Sequence, residues 1–257
     1  MKVFKKIIIG ALISISVSNA TTLDTEQKNK ILESYKIGSQ IKCSNGMTIE
    51  YTLPSIMGQE SSFGKNNVGD KYDKTGRLKS LYDSSLGNFQ IKLSTAKRVI
   101  MRYKILRDKY SFMVNTDKST YKLYEKHYKK VQYYLSVIES PVWKKRVERG
   151  EPKAISTIKW AKKEYIKHYE LYKKYKEEAK KDTILINNLM YNFKFSAFIS
   201  GYYFKMCYDE AYRKFGTEQA YWRAVGRYNG GWSNKTYYKK IIKRMKTVKI
   251  VVKNATI

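Results

Sequence analysis

Three short groups of residues in this 257-residue chain carry side chains able to act on a polar bond. Glu60, followed by Ser61, Ser62 and Phe63, offers a carboxyl at the end of an apolar stretch, where partial burial keeps such a group protonated as a general acid. Gly87-Asn88-Phe89-Gln90 offers a primary amide on a glycine-led loop, a group that both donates and accepts hydrogen bonds. Tyr228-Asn229-Gly230-Gly231 offers a phenol ahead of a sharp turn, because Asn and Gly tolerate the left-handed backbone that ends helices. Taken singly each group is ordinary: a solvated glutamate, a loop, a tyrosine packed at a helix end. Together and in this order they describe a candidate site with Glu60 as its one strong acid.

The order and content of the three groups resemble the signature of the soluble lytic transglycosylases, whose lysozyme-like domain is related to goose-type lysozymes. Glu-Ser followed by an aromatic, with Gly-x-x-Gln starting 27 residues later, looks like that family's catalytic glutamate and cleft loop. Tyr228 stands where the family has the tyrosine of Ala-x-x-Tyr-Asn-x-Gly, although Ala224 lies one place further off. Asn192 fits the family's later Asn-Ile-x-x-Gly piece only loosely, and the middle residues of the Gln90 motif differ from the usual Leu and Met. The resemblance covers roughly residues 25–96 and 184–246. It implies a mainly α, lysozyme-like domain with a small loop and β-hairpin region. Glu60 would be catalytic, with Ser61, Gln90, Tyr228 and Asn229 as substrate-binding residues.

The implied reaction is cleavage of peptidoglycan glycan strands between N-acetylmuramic acid and N-acetylglucosamine, leaving 1,6-anhydro ends. Most glycosidases use two carboxylates. The family resembled here uses one, first as acid and then as base. Asp70, Asp73 and Asp83 precede Gln90 and offer a second acid for hydrolysis, which would make the chain a muramidase; loop aspartates are more often solvated turn residues. A non-catalytic wall-binding protein on the same scaffold is the further alternative. His127 and His168 are the only histidines and lack Cys, Asp or Glu at metal-binding spacing, so neither a metal nor any other cofactor is implied.

The elements that would position these groups follow from apolar spacing. Ile31, Leu32, Tyr35, Ile37 and Ile41 predict a helix over 25–42, and Leu53, Ile56 and Met57 a short one ending near Glu60, with Pro54 in its first turn. Residues 64–87 read as a loop region holding a small hairpin. Ser94 caps a predicted helix with Val99, Ile100, Tyr103 and Leu106 inward. Leu185, Leu189, Phe193, Ala197 and Gly201 predict a core helix reaching Cys207, and Thr217 begins another that ends at Tyr228. A last amphipathic helix carries Tyr238, Ile241, Ile242 and Met245, with the tail from Val248 read as a short strand or as unstructured.

Between these parts lies a segment of different composition. Residues 97–181 hold 25 Lys and Arg against 10 Asp and Glu, with 11 tyrosines, and their spacing predicts two amphipathic helices separated near Pro141 to Pro152. The expected organisation is a signal peptide over 1–20, a split catalytic domain over 21–96 and 184–257, and a basic helical insertion over 97–183. The insertion either holds the protein against anionic wall or membrane surfaces or is simply two solvated helices whose tyrosines pack together.

Lys2, Lys5 and Lys6, the apolar run Ile7 to Val17 and Ser18-Asn19-Ala20 have the layout of a signal peptide cut after Ala20. The expected location is therefore the periplasm or cell envelope, as a soluble protein. Export argues against nucleic acid as the partner of a chain with net charge +30, and favours peptidoglycan, with a secretion or motility apparatus as a further partner class. In an oxidising compartment Cys43 and Cys207 are disulfide candidates, the alternative being two buried thiols.

Overall fold

A computed structural model describes residues 23–65, 68–69, 80–115 and 120–255. The expected signal peptide, Asp70 and Asp73 lie outside the described residues. The chain is mainly α-helical and divides into two compact units, Met1–Asp108 with Asn187–Ile257, and Lys109–Ile186.

The first unit begins with α1 (Thr25–Gln40), whose start is fixed by a capping box: Asp24 Oδ1 accepts from Gln27 N at 2.7 Å and Gln27 Oε1 from Asp24 N at 3.1 Å. Such a pair satisfies two otherwise orphaned backbone donors. α2 (Thr52–Ser61) follows, with Leu53, Ile56 and Met57 fully buried, each contributing about 1.5–3 kcal/mol by removal from water. Three two-residue strands, β1 (Val68–Gly69), β2 (Ser85–Leu86) and β3 (Ile91–Lys92), form an antiparallel sheet in chain order, pairing Gly69 with Ser85 and Leu86 with Ile91.

α3 (Leu93–Arg102) and α4 (Lys104–Tyr110) replace the single helix predicted after Ser94, because Tyr103 adopts extended backbone and stops the first. Lys92, not Ser94, is the capping residue. Val99 and Ile100 of α3 are fully buried, and the break in contacts falls after Asp108, so this helix belongs to the first unit although the insertion was expected from residue 97.

The predicted core helix toward Cys207 is likewise two, α8 (Lys180–Tyr191) and α9 (Phe193–Phe215). The chain breaks at Asn192, whose Oδ1 accepts from Phe195 N at 3.1 Å and caps α9. α10 (Thr217–Tyr228) packs on α9, and α11 (Lys235–Ala255) packs on α2. The tail from Val248 continues α11, since Val248, Val251 and Val252 sit at three- and four-residue steps and are buried.

The expected bridge between Cys43 and Cys207 is absent, and both are buried free thiols. Burial pushes each thiol up to about 12, so neither supplies the thiolate that oxidation requires.

In the second unit, α5 (Thr120–Glu139) and α7 (Pro152–Glu178) pack along each other with α6 (Pro141–Glu148) between them in sequence. Their shared core contains His127 and His168, whose Nδ1 atoms are 2.8 Å apart. His168 stacks on Tyr134 and His127 on Tyr175. Tyr124, Tyr128, Tyr169 and Tyr172 form a run of ring contacts whose outer members are exposed. Among the described residues no helix is long and apolar enough to cross a membrane.

Candidate active site

Glu60 lies in the last turn of α2, and the chain reverses directly behind it. Ser62 (φ 52°), Phe63 (φ 58°) and Gly64 (φ 92°) are all left-handed. For the two residues with side chains this costs roughly 1–2 kcal/mol each, so surrounding contacts must hold the turn. They are visible: Gln27 Nε2 donates to Ser62 O at 2.8 Å, Lys30 Nζ to Gly64 O at 3.2 Å, and Phe63 is buried against Gly58. Ser61 belongs to the same brace. Its hydroxyl donates to Met57 O at 3.0 Å and accepts from Gly64 N at 2.9 Å, and the residue is buried. Ser61 is therefore a turn-holding residue, and it is not among the residues that line the cleft described below.

Gln90 is the last residue of the turn joining β2 to β3 and also has a positive φ, 52°. Its Nε2 donates to Gly87 O at 2.8 Å, which folds the amide back over its own turn. Two glycines make this conformation accessible. A Cβ on Gly69 would collide with the Gln90 amide oxygen, and one on Gly87, at φ 70°, would collide with the Leu189 carbonyl. The motif's first glycine is thus a point of close backbone approach between the turn and α8.

Tyr228 ends α10 with its side chain buried. Its hydroxyl donates to Phe89 O at 3.1 Å and accepts from Ser200 Oγ at 2.7 Å, so the phenol ties α10 to the Gln90 turn and to α9. Burial first, then the charge of Glu60, push its ionisation well above the ordinary tyrosine range. After Tyr228 the Asn229–Asn234 turn closes through Gly231 N to Gly226 O (3.2 Å) and Asn234 Nδ2 to Asn229 Oδ1 (3.2 Å). Asn234 Oδ1 then accepts from Tyr237 N at 3.0 Å and caps α11.

That cap sets Tyr237 in the first turn of α11, where its hydroxyl donates to Glu60 Oε1. Tyr237 is 5% exposed, and burial followed by the Glu60 charge disfavours its ionisation strongly, so it stays a donor. The sequence reading missed this residue by taking Tyr238 as the inward-facing tyrosine. The four- and eleven-residue steps from Tyr237 to Ile241 and Val248 were the available signal.

Glu60, Gln90, Tyr228 and Asn229 line one cleft of about 480 Å³, together with Tyr203, Lys92 and Thr95. Among the described residues of that lining Glu60 is the only carboxylate. Asp83 is exposed and is not part of the wall. No family model, curated protein or solved structure matches this chain. What the cleft can do therefore rests on its own chemistry: one acid held by a buried phenol, amides at two rims, a lysine on the wall, and space for a sugar-sized group. Among the described residues no group of three or more His, Cys, Asp or Glu converges in a way that would hold a metal ion.

Proposed function

We propose that this protein is an exported peptidoglycan lytic transglycosylase with a lysozyme-like catalytic unit and Glu60 as its single acid and base. The observation that carries the reading is the convergence of three sequence-distant groups, Glu60, Gln90 and Tyr228, on one cleft whose described lining holds a single carboxylate. Ser61, which the resemblance also puts near the substrate, does not contribute to the cleft wall.

On this reading the Glu60 carboxyl gives its proton to the oxygen of the glycosidic bond between N-acetylmuramic acid and N-acetylglucosamine. The bond from that oxygen to C1 breaks, and positive charge on C1 is met by the substrate's own acetamido oxygen. Glu60, now a carboxylate steadied by the Tyr237 hydroxyl, takes the proton from the C6 hydroxyl as O6 bonds to C1. The acid is restored, no water is consumed, and the product carries a 1,6-anhydro ring. The signal-peptide layout of residues 1–20 puts this chemistry in the cell envelope, and the basic second unit would hold the enzyme to anionic wall or membrane surfaces.

Digestion of purified sacculi followed by mass spectrometry tests the reaction. Anhydro-muramic ends formed by the wild type and lost in Glu60→Gln are expected. Reducing muramic ends alone would replace the transglycosylase with a hydrolase, and undigested sacculi would remove the enzyme reading.

A further inference from the structure

Around the Asn229–Asn234 turn, Phe215 at the end of α9, Trp222 within α10 and Trp232 in the turn itself bring three aromatic rings together. Phe215 and Trp232 meet edge to face at 5.6 Å, and Arg223 lies over both Phe215 (4.6 Å) and Trp222 (4.0 Å). Arg223 is fully engaged, donating to Gln219 Oε1, Trp232 O and Ser233 Oγ, so it braces the group. Three other cations sit on the same rings: Lys214 at 5.3 Å from Phe215, Arg227 at 5.2 Å from Trp232 and Lys235 at 5.4 Å from Trp222. Among the described residues none of these three has a carboxylate within ion-pair distance. Lys214 and Lys235 are exposed.

Cations resting on aromatic faces are held in place while their outer sides remain able to meet an anion. The patch is continuous with the cleft through a short tether. Asn229 is at the cleft wall, Asn234 is bonded to it, and Lys235 is the next residue. The patch therefore borders the part of the cleft wall that Asn229 supplies.

We propose that Lys214, Arg227 and Lys235, fixed on Phe215, Trp222 and Trp232, form a docking surface for the acidic peptide side chains of the glycan whose sugars occupy the cleft. The inference rests on the peptidoglycan reading of the cleft and adds to it a preference for strands that carry peptides over bare strands. Charge complementarity selects this occupant, since neutral sugars leave three held cations without partners.

The test compares two soluble substrates, glycan strands with their peptides and the same strands after the peptides have been removed enzymatically. Wild type is expected to show the lower KM for the peptide-bearing strands, with the difference shrinking as salt rises. Lys214→Glu with Lys235→Glu, both at exposed positions, should raise KM for peptide-bearing strands about tenfold, as reversing two partly screened ion pairs does, and leave bare strands unaffected. Arg227→Lys, which keeps the charge, should retain the preference that Arg227→Gln reduces. Equal KM values for the two substrates in wild type, or equal losses on both in the double variant, would overturn the docking surface while the cleft chemistry stands. Failure of wild type to cut either substrate would overturn the catalytic reading and this inference with it.

Discussion

The hydroxyl of Tyr237, in the first turn of α11, donates to the Glu60 carboxylate at the end of α2. The tyrosine of the Asn-Gly-Gly motif, Tyr228, has its own hydroxyl bonded to Phe89 O and Ser200 Oγ instead. Two tyrosines thus serve the cleft differently, one orienting the acid and one holding together the elements around it.

Tyr237→Phe removes a hydrogen bond to Glu60; on the proposed transglycosylase reading, kcat on peptidoglycan should fall about 10–100-fold with KM little changed. Tyr228→Phe leaves a buried carbonyl and a buried hydroxyl short of a partner. It should lower stability by about 1–3 kcal/mol, read as a lower denaturant midpoint. An equal kcat loss in both variants without any stability change in Tyr228→Phe would contradict this division.

Gly69→Ala pushes only on the far end of the Gln90 side chain. The amide should swing away from Gly87 O, raising KM while the melting temperature stays within a few degrees of wild type. Gly87→Ala instead meets the Leu189 backbone at a positive φ, so it should destabilise by more than about 2 kcal/mol, measured by denaturant unfolding.

The paired histidines make the second unit sensitive to acid. Both are held below the ordinary histidine value, chiefly by burial; His127 also feels His168, Lys126 and Lys130, while for His168 the lysines Lys130, Lys167 and Lys126 outweigh the opposing Glu164. The unfolded chain therefore binds more protons than the folded one as pH falls through the histidine range. The contribution is fully present above about pH 6.5, where unfolded histidine is neutral, and is lost as pH drops below it. Protection factors of amides in α5 and α7 should fall below that pH in wild type and lose this dependence in His127→Phe/His168→Phe.

Cys43 and Cys207, as buried protonated thiols, should resist alkylation in the native protein and react in denaturant. Reductant should leave the melting temperature unchanged. A reductant-sensitive transition would reinstate the bridge.

The three chemistry-bearing groups were legible because each combines a distinctive side chain with a backbone signal: Glu60 before a reversal, Gln90 after Gly87, and Tyr228 before Asn-Gly-Gly. The breaks at Tyr103 and Asn192 were not, because apolar spacing runs across them undisturbed and the interruption comes from one residue's backbone and, at Asn192, a side-chain cap. The bonding of Ser61 was not legible because a serine beside an acid offers the same hydroxyl to substrate or to its own backbone. Only the positions of Met57 O and Gly64 N decide between them. Tyr237 and Tyr238 differ by one place on a helix, and both fit an approximate stripe until the cap at Asn234 fixes its rotation.

The amide of Gln27 belongs at once to the first turn of α1 and to the left-handed turn behind Glu60. If residues 1–20 are removed as a signal peptide, the point at which the chain then starts matters for Glu60 itself. A cut after Ala20 leaves Asp24 and Gln27 in place, whereas trimming only slightly further in would unfasten the turn from its neighbour. Two proteolytic forms differing by a handful of N-terminal residues could then share the same cleft residues and have unequal activity, so the amino terminus of any purified sample should be sequenced before its rates are compared.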